Sequence, residues 1–257
     1  MGHHGWMHQQ GPDVVDVSAS GPHSPMNQHR YPRVTSFRTR RTTLSPAQQA
    51  TWDRLWPQIG MQARDGHVPT SRLDTEAWFG RSAPVVLEIG CGSGTSTLAM
   101  AQTEPHLDVV AVEVYKRGLA QLLSGIDREG VTNIRLVRGD GVDVLQHMFG
   151  PDSLTGVRVF FPDPWPKARH HKRRLLQTAT VALIADRLRP GGILHVATDH
   201  AGYAEHIAEV GDAEPRLRRV DPGQPLPISV ERPVTKYENK AQDAERAVAE
   251  LLWEKTS

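Results

Sequence analysis

From Pro84 onward the chain repeats one pattern: a short apolar run, a polar or glycine-rich turn, then a stretch with helical periodicity. Val85-Val86-Leu87-Glu88-Ile89 runs into Gly90-Cys91-Gly92-Ser93-Gly94 and a helical 95–102. Residues 109–114 form the next run, with Leu119, Leu122 and Leu123 in the helix after it. Ile134-Arg135-Leu136-Val137 leads to Gly139-Asp140 and a helix over 142–148. Residues 157–161 lead to a proline-rich turn and a helix over 172–187. Residues 193–197 end at Thr198-Asp199, a helix follows near 203–210, and 217–220 reads as a sixth strand. Strands this continuously apolar are covered on both faces, which requires a parallel sheet between two layers of helices. The pattern therefore predicts an α/β fold with a mostly parallel seven-stranded sheet and helices on both faces. A seventh strand is expected over 230–237, and the helical spacing of Ala241, Ala244, Val248, Leu251 and Leu252 predicts a closing helix.

Upstream of that pattern the chain changes character. Residues 1–30 are rich in His, Gly, Pro, Gln and Ser, with too little to bury to offset their ordering entropy, so they are expected to be a disordered tail. The histidines there are read as solvated, and no metal site is expected. Residues 31–83 form a basic segment and a helical region, ahead of a main domain over 84–257. The basic segment carries Arg33, Arg38, Arg40 and Arg41 without an acid among them. Ser45-Pro46 has the form of a helix start, Trp52, Leu55 and Trp56 recur at helical spacing, and Pro57 is expected to end that helix. The formal net charge is only +1, so an anionic partner must be argued from where the cations cluster. A lone cysteine, Cys91, excludes an internal disulfide framework. No apolar run approaches the roughly 20 residues of a membrane span. Val14-Val15-Asp16-Val17 is too short and interrupted for a signal peptide core. The chain is expected in the cytoplasm.

Five polar residues end predicted strands: Glu88, Glu113, Asp140, Asp163 and Asp199. In open parallel sheets, ligands bind at the carboxyl ends of the strands, so these five belong to one edge. Gly90, Gly92 and Gly94 let the chain turn tightly and approach a ligand closely. A nicotinamide fingerprint would need its third glycine at position 95, where Thr95 stands, which disfavours an oxidoreductase. Glu88 ahead of the loop would repel a pyrophosphate, yet it suits a ligand with cationic groups, such as the amino group and sulfonium of S-adenosylmethionine. Glu113 is then placed for the ribose hydroxyls and Asp140 for the adenine amine. Cys91 has no catalytic partner and reads as a small loop residue.

Phe160-Phe161-Pro162-Asp163-Pro164-Trp165-Pro166-Lys167 follows the fourth strand of the pattern. Three prolines stiffen it, Trp165 is expected to offer a flat face to a base, and Asp163 is expected beside the cofactor. Arg169, His170, His171, Lys172, Arg173 and Arg174 come next, a run that reads as a contact to RNA phosphates. With this motif the chain resembles the bacterial tRNA (guanine-N7)-methyltransferase family over about residues 33–253. Ala197-Thr198-Asp199, Thr235-Lys236-Tyr237-Glu238, Leu87-Glu88-Ile89-Gly90 and Val112-Glu113-Val114 carry the same resemblance, as do Leu44-Ser45-Pro46 and the arginine-rich 36–41. Tyr237 stands where that family usually has Phe, and Asn239-Lys240-Ala241 replaces its usual x-Arg-Gly.

The resemblance implies a Rossmann-like class I methyltransferase that methylates a guanosine in the tRNA variable loop. It implies Glu88, Glu113, Asp140 and Asp163 around S-adenosylmethionine, and Lys167, Asp199, Thr235, Lys236, Tyr237 and Glu238 around the target nucleotide. Arg38, Arg40, Arg41 and the 169–174 run would grip the RNA, and no obligatory protein partner is expected. Two rivals keep the fold. A small-molecule methyltransferase would not need two arginine clusters, and a silent RNA-binding protein would not depend on Glu88 or Asp163.

Overall fold

A computed structural model describes residues 43–234 and 247–257. The helix α1 (Pro46–Ile59) begins with a reciprocal cap: Ser45 Oγ accepts from the Gln48 backbone N–H, and the Gln48 side chain accepts from the Ser45 N–H. Pro57 does not end it. The ring lies in the last turn, where it removes little of the ladder. Trp52 and Trp56 stack at 4.3 Å on the face toward the later helix α4 (Lys116–Glu129).

Short strands β1 (Gly60–Gln62), β2 (Arg64–Asp65) and β3 (Val68–Pro69) follow, then α2 (Thr75–Phe79). The repeating part supplies β4 (Val85–Ile89), α3 (Thr95–Thr103), β5 (Asp108–Glu113), α4, β6 (Ile134–Arg138), α5 (Gly141–Asp143) and β7 (Leu154–Phe160). It ends with α6 (Thr178–Arg187), β8 (Leu188–Thr198), α7 (Ala201–Ala213), β9 (Leu217–Arg219) and β10 (Ala249–Lys255). Among the described residues the main sheet has eight strands in the order β1-β6-β5-β4-β7-β8-β10-β9. All neighbours are parallel except β10, which runs antiparallel to both β8 and β9. The expected α/β architecture is present, with β1 as an added edge strand. Strand order reverses at β4, so the crevice for a ligand opens at its carboxyl end.

The end of the chain departs from expectation. Residues 230–234 are not a strand, and Leu251 and Leu252 lie in β10 rather than in a helix. The seven residues of β10 fill the slot between β8 and β9, with Leu251 facing Val196 in register and Leu252 facing His195. Leu251 and Trp253 join the large core on one face of the sheet while Leu252 joins the cluster on the other. A strand buried on both faces shows no alternation, and its apolar run matches a helix equally well.

Two other helices differ in form from what the periodicity predicts. The 142–148 stretch is one α-turn followed by a π-turn, Val144–Met148. The 172–187 stretch divides into a 3-10 segment, Ala168–Arg173, and α6. The break has a cause: the Leu176 backbone N–H donates to the Tyr203 hydroxyl at 3.0 Å instead of to a helical carbonyl.

Candidate active site

The carboxyl ends of β4, β5, β6 and β7 open onto a cleft of about 1410 Å³, and Glu88, Glu113, Asp140 and Asp163 all line it. Gly90, Gly92 and Gly94 hold φ of +78°, +57° and +77°, left-handed values that a side chain disfavours. The loop is pinned by its neighbour strand: Gly90 and Cys91 donate to the Val112 carbonyl at 2.8 and 3.0 Å. Glu113 pins it further, accepting from Gly92 N–H at 3.0 Å on one oxygen and from Val114 and Tyr115 N–H on the other. Its carboxylate thus shapes the loop, and with about four acceptor positions it retains capacity toward the cleft.

Glu88 is 3% exposed. Thr97 Oγ1 donates to one of its oxygens at 2.6 Å. Burial raises its carboxyl above the usual range, opposed by the Thr97 bond and by Arg158. Asp140 caps α5, accepting from Val142 N–H at 2.8 Å. Burial, reinforced by Glu88 and Glu113, pushes the Cys91 thiol up, which keeps it protonated and unreactive.

The Asp163 loop is strained on both sides. Phe161 and Trp165 adopt φ of +49° and +43°, positions that cost energy for non-glycine residues and persist only where the surroundings impose them. The Phe161 N–H is held by the Ala197 carbonyl at 2.8 Å, and Arg174 holds the other side. Its Nε donates to the Pro164 carbonyl at 2.8 Å, and its guanidinium lies 4.9 Å from the Tyr203 ring.

Two expected RNA contacts are corrected by this packing. Trp165 is 5% exposed, with the Arg173 guanidinium over its face at 4.8 Å and the His170 ring edge against it. It is not a stacking platform for a base. Arg174 is buried at 6% and builds the loop rather than presenting a charge. Lys167, Arg169, His171 and Lys172 are exposed, and His170 and Arg173 are half-buried. Desolvation and then the cations of Arg169, Arg173, Lys167 and Lys172 lower His170, so it stays neutral at pH 7. Asp199 follows β8 on the same sheet edge. Neither it nor Lys167 lines the cleft. Arg38, Arg40, Arg41 and Thr235, Lys236, Tyr237 and Glu238 lie outside the described residues, as does the 1–30 tail.

Several residues of the site carry no motif. Thr97 holds Glu88, and Tyr115 lines the cleft. Gly118 in α4 is the closest fit: a Cβ there would come within 2.3 Å of the Gly92 carbonyl oxygen. A glycine inside a helical pattern was the available signal, because it marks a close approach of another element. Gly118→Ala is expected to force the glycine loop outward. Overpacking of this kind costs roughly 1–3 kcal/mol, so the variant should melt lower and bind the cofactor about tenfold more weakly. Calorimetric titration against the wild type would show unchanged affinity if the contact were unimportant.

The family profile described as "Putative methyltransferase" matches residues 82–251. A tRNA (guanine-N(7)-)-methyltransferase of Mycolicibacterium gilvum (strain PYR-GCK) is 70% identical, covering all of both chains. One of Mycolicibacterium vanbaalenii is 72% identical, again over the full length of both. One of Mycobacterium tuberculosis (strain ATCC 25177 / H37Ra) is 64% identical over 99% of this chain and 96% of its own. With the carboxylate-lined cleft and the Asp163 loop in one continuous edge, and likeness of this extent along the whole length, the chain belongs to the tRNA (guanine-N(7)-)-methyltransferase family.

Proposed function

We propose that this protein transfers a methyl group from S-adenosylmethionine to N7 of a guanosine in tRNA, in the cytoplasm. The observation that carries this reading is the donor set at the strand ends: Glu88, Glu113, Asp140 and Asp163 surround the glycine loop, whereas Arg117, Arg128 and a fifth carboxylate, Glu129, join the lining from α4. That set opposes a di- or triphosphate and fits a cofactor with an ammonium and a sulfonium. Glu88 would hold the ammonium, since Thr97 engages one of its oxygens and the residue faces the cleft. Glu113 would take the ribose hydroxyls and Asp140 the adenine amine. Bound there, S-adenosylmethionine supplies an electrophilic methyl group.

Guanine N7 carries a lone pair and no proton, so no residue of the chain has to act as a general base. The protein's contribution is alignment and electrostatics. Asp163 would accept from the guanine N1–H and exocyclic amine and favour the positive charge that the ring gains. The stiff Pro162-Asp163-Pro164 turn holds that carboxylate without help from the substrate. Lys167, Asp199 and Thr235, Lys236, Tyr237 and Glu238 would border the target nucleotide. Guanine N7 in an A-form helix lies in a deep, narrow groove that side chains reach poorly, which favours a target in a loop. The exposed Lys167, Arg169 and Lys172, with Arg38, Arg40 and Arg41, would neutralise phosphates of the tRNA backbone, and His171 would contact it.

Purified protein incubated with methyl-tritiated S-adenosylmethionine and unmodified tRNA transcripts should yield labelled 7-methylguanosine after nuclease digestion. Label in another nucleoside, or none in tRNA, would overturn the reading. tRNA affinity should also drop by more than about tenfold between roughly 50 and 200 mM salt. A salt-insensitive KM would point to a small-molecule substrate instead.

A further inference from the structure

Arg232 stands three residues before the Thr235 motif, and its side chain is 4% exposed. Its guanidinium lies 5.4 Å from the Phe160 ring and 5.2 Å from the Phe161 ring. These are the last residue of β7 and the strained residue that opens the Asp163 turn. Its Nε donates to Glu250 Oε1 at 2.6 Å. The same carboxylate oxygen is 3.1 Å from His195 Nε2, and the His195 ring meets Phe160 edge-on at 4.9 Å.

The approach to Arg232 is fixed as well. Ile228 is buried, the Ser229 N–H donates to Glu104 Oε2 at 2.9 Å, and the Ser229 carbonyl accepts from Arg158 Nη2 at 3.0 Å. Arg158 in turn pairs with Glu104 Oε1 at 2.7 Å. The chain is therefore held at two points beneath the sheet edge, at 228–229 and at 232.

We propose that Arg232 is a positioning residue for methyl transfer, locking the segment that leads to the Thr235 motif onto the turn that carries Asp163. The proposal rests on the methyltransferase reading above. A largely buried ion pair adds little net stability over an apolar packing of the same volume, so stability alone is a poor reason for an arginine here. A planar guanidinium can lie against two rings and still donate to a carboxylate, which an ammonium on a flexible stem does poorly. The arginine thereby joins three elements: β7 through the phenylalanines, β10 through Glu250, and the incoming segment by its own backbone. Misplacement of the acceptor base by about 1 Å can cost roughly 100-fold in rate. tRNA affinity, set mainly by phosphate contacts, is much less sensitive to it.

The full-length chain, its Arg232→Ala and Arg232→Lys variants, Glu250→Ala and the Arg232→Ala/Glu250→Ala double variant are compared under saturating S-adenosylmethionine. Arg232→Ala is expected to lower kcat on tRNA by about 10- to 100-fold. KM for tRNA and the number of cofactor sites per chain should stay within about threefold, and Arg232→Lys should fall between. Glu250→Ala should add little to Arg232→Ala, because the two act through one contact. The proposal is overturned if kcat is retained within twofold, or if its loss only tracks lost cofactor sites, the mark of partial unfolding. If Arg232→Ala does not fold, the Arg232→Lys kcat decides: a wild-type value overturns the proposal. Wild-type protein that places no methyl on guanine N7 defeats the underlying reading, whereas active wild type with active Arg232→Ala defeats this inference alone.

Discussion

Asp163→Ala is expected to lower kcat for tRNA methylation by roughly 100- to 1000-fold, the usual cost of removing one preorganised polar group aimed at a charge that develops in the transition state. Cofactor affinity should weaken much less, by about tenfold at most, because Glu88, Glu113 and Asp140 remain. Asp163→Asn separates charge from shape. An amide of the same size can accept only one of the two N–H groups that a carboxylate takes from guanine, so its rate should lie between wild type and alanine. The strained loop is the reason for expecting so large an effect. Phe161 and Trp165 are held at positive φ, and Arg174 ties the Pro164 carbonyl down, so the carboxylate cannot be replaced by a neighbour that swings in. Single-turnover rates with both substrates saturating measure the chemical step directly. Wild-type rates for Asp163→Asn would show that the negative charge at this tip is idle.

The carboxylate-lined edge of the cleft was legible because its requirements are local. A left-handed turn needs glycine, a strand end in a parallel sheet faces the ligand, and Glu88, Glu113, Asp140 and Asp163 follow from those two rules alone. The C-terminal strand was not legible, since Leu251, Leu252 and Trp253 answer to cores on opposite faces of the sheet. Only the open edges of β8 and β9 decide between strand and helix there. Trp165 shows the other limit. Its position in a proline loop suggests a stacking surface, yet Arg173, which follows it in sequence, folds back over its ring. A basic run beside an aromatic does not say whether the two meet each other or the RNA. Arg232 was silent because it matters through a partner far away in the chain, Glu250, and Gly118 could signal a close approach but not that its partner is Gly92.

Glu88→Gln is expected to weaken S-adenosylmethionine binding by about 100-fold, since a hydrogen bond to a charged partner is worth roughly 1.5–3 kcal/mol and each 1.4 kcal/mol is a factor of ten. The glutamine keeps the size of the side chain and one acceptor for Thr97, so the loss reports the charge. The pH dependence has a definite sign. Burial raises the Glu88 carboxyl in the free protein, against the Thr97 bond and Arg158, and the ionised form is the one that binds a cation. Affinity should be complete above that raised pKa and fall as pH drops through it, starting at a higher pH than an ordinary carboxylate would allow. Binding near that pH should release protons, and the variant should lose both effects. Stability of the ligand-free protein runs the other way. A carboxyl raised on folding contributes stability below its unfolded pKa and loses it as pH rises through the folded value. Once pH exceeds that folded value the ionised Glu88 works against the fold, and there Glu88→Gln should melt at or above the wild type while no longer gaining Tm from the cofactor. Titration calorimetry across pH, paired with melting curves, tests both halves. A glutamine variant that binds as tightly as wild type, or whose affinity still declines on acidification along the same curve, would remove Glu88 from the site and with it the electrostatic logic of the cleft.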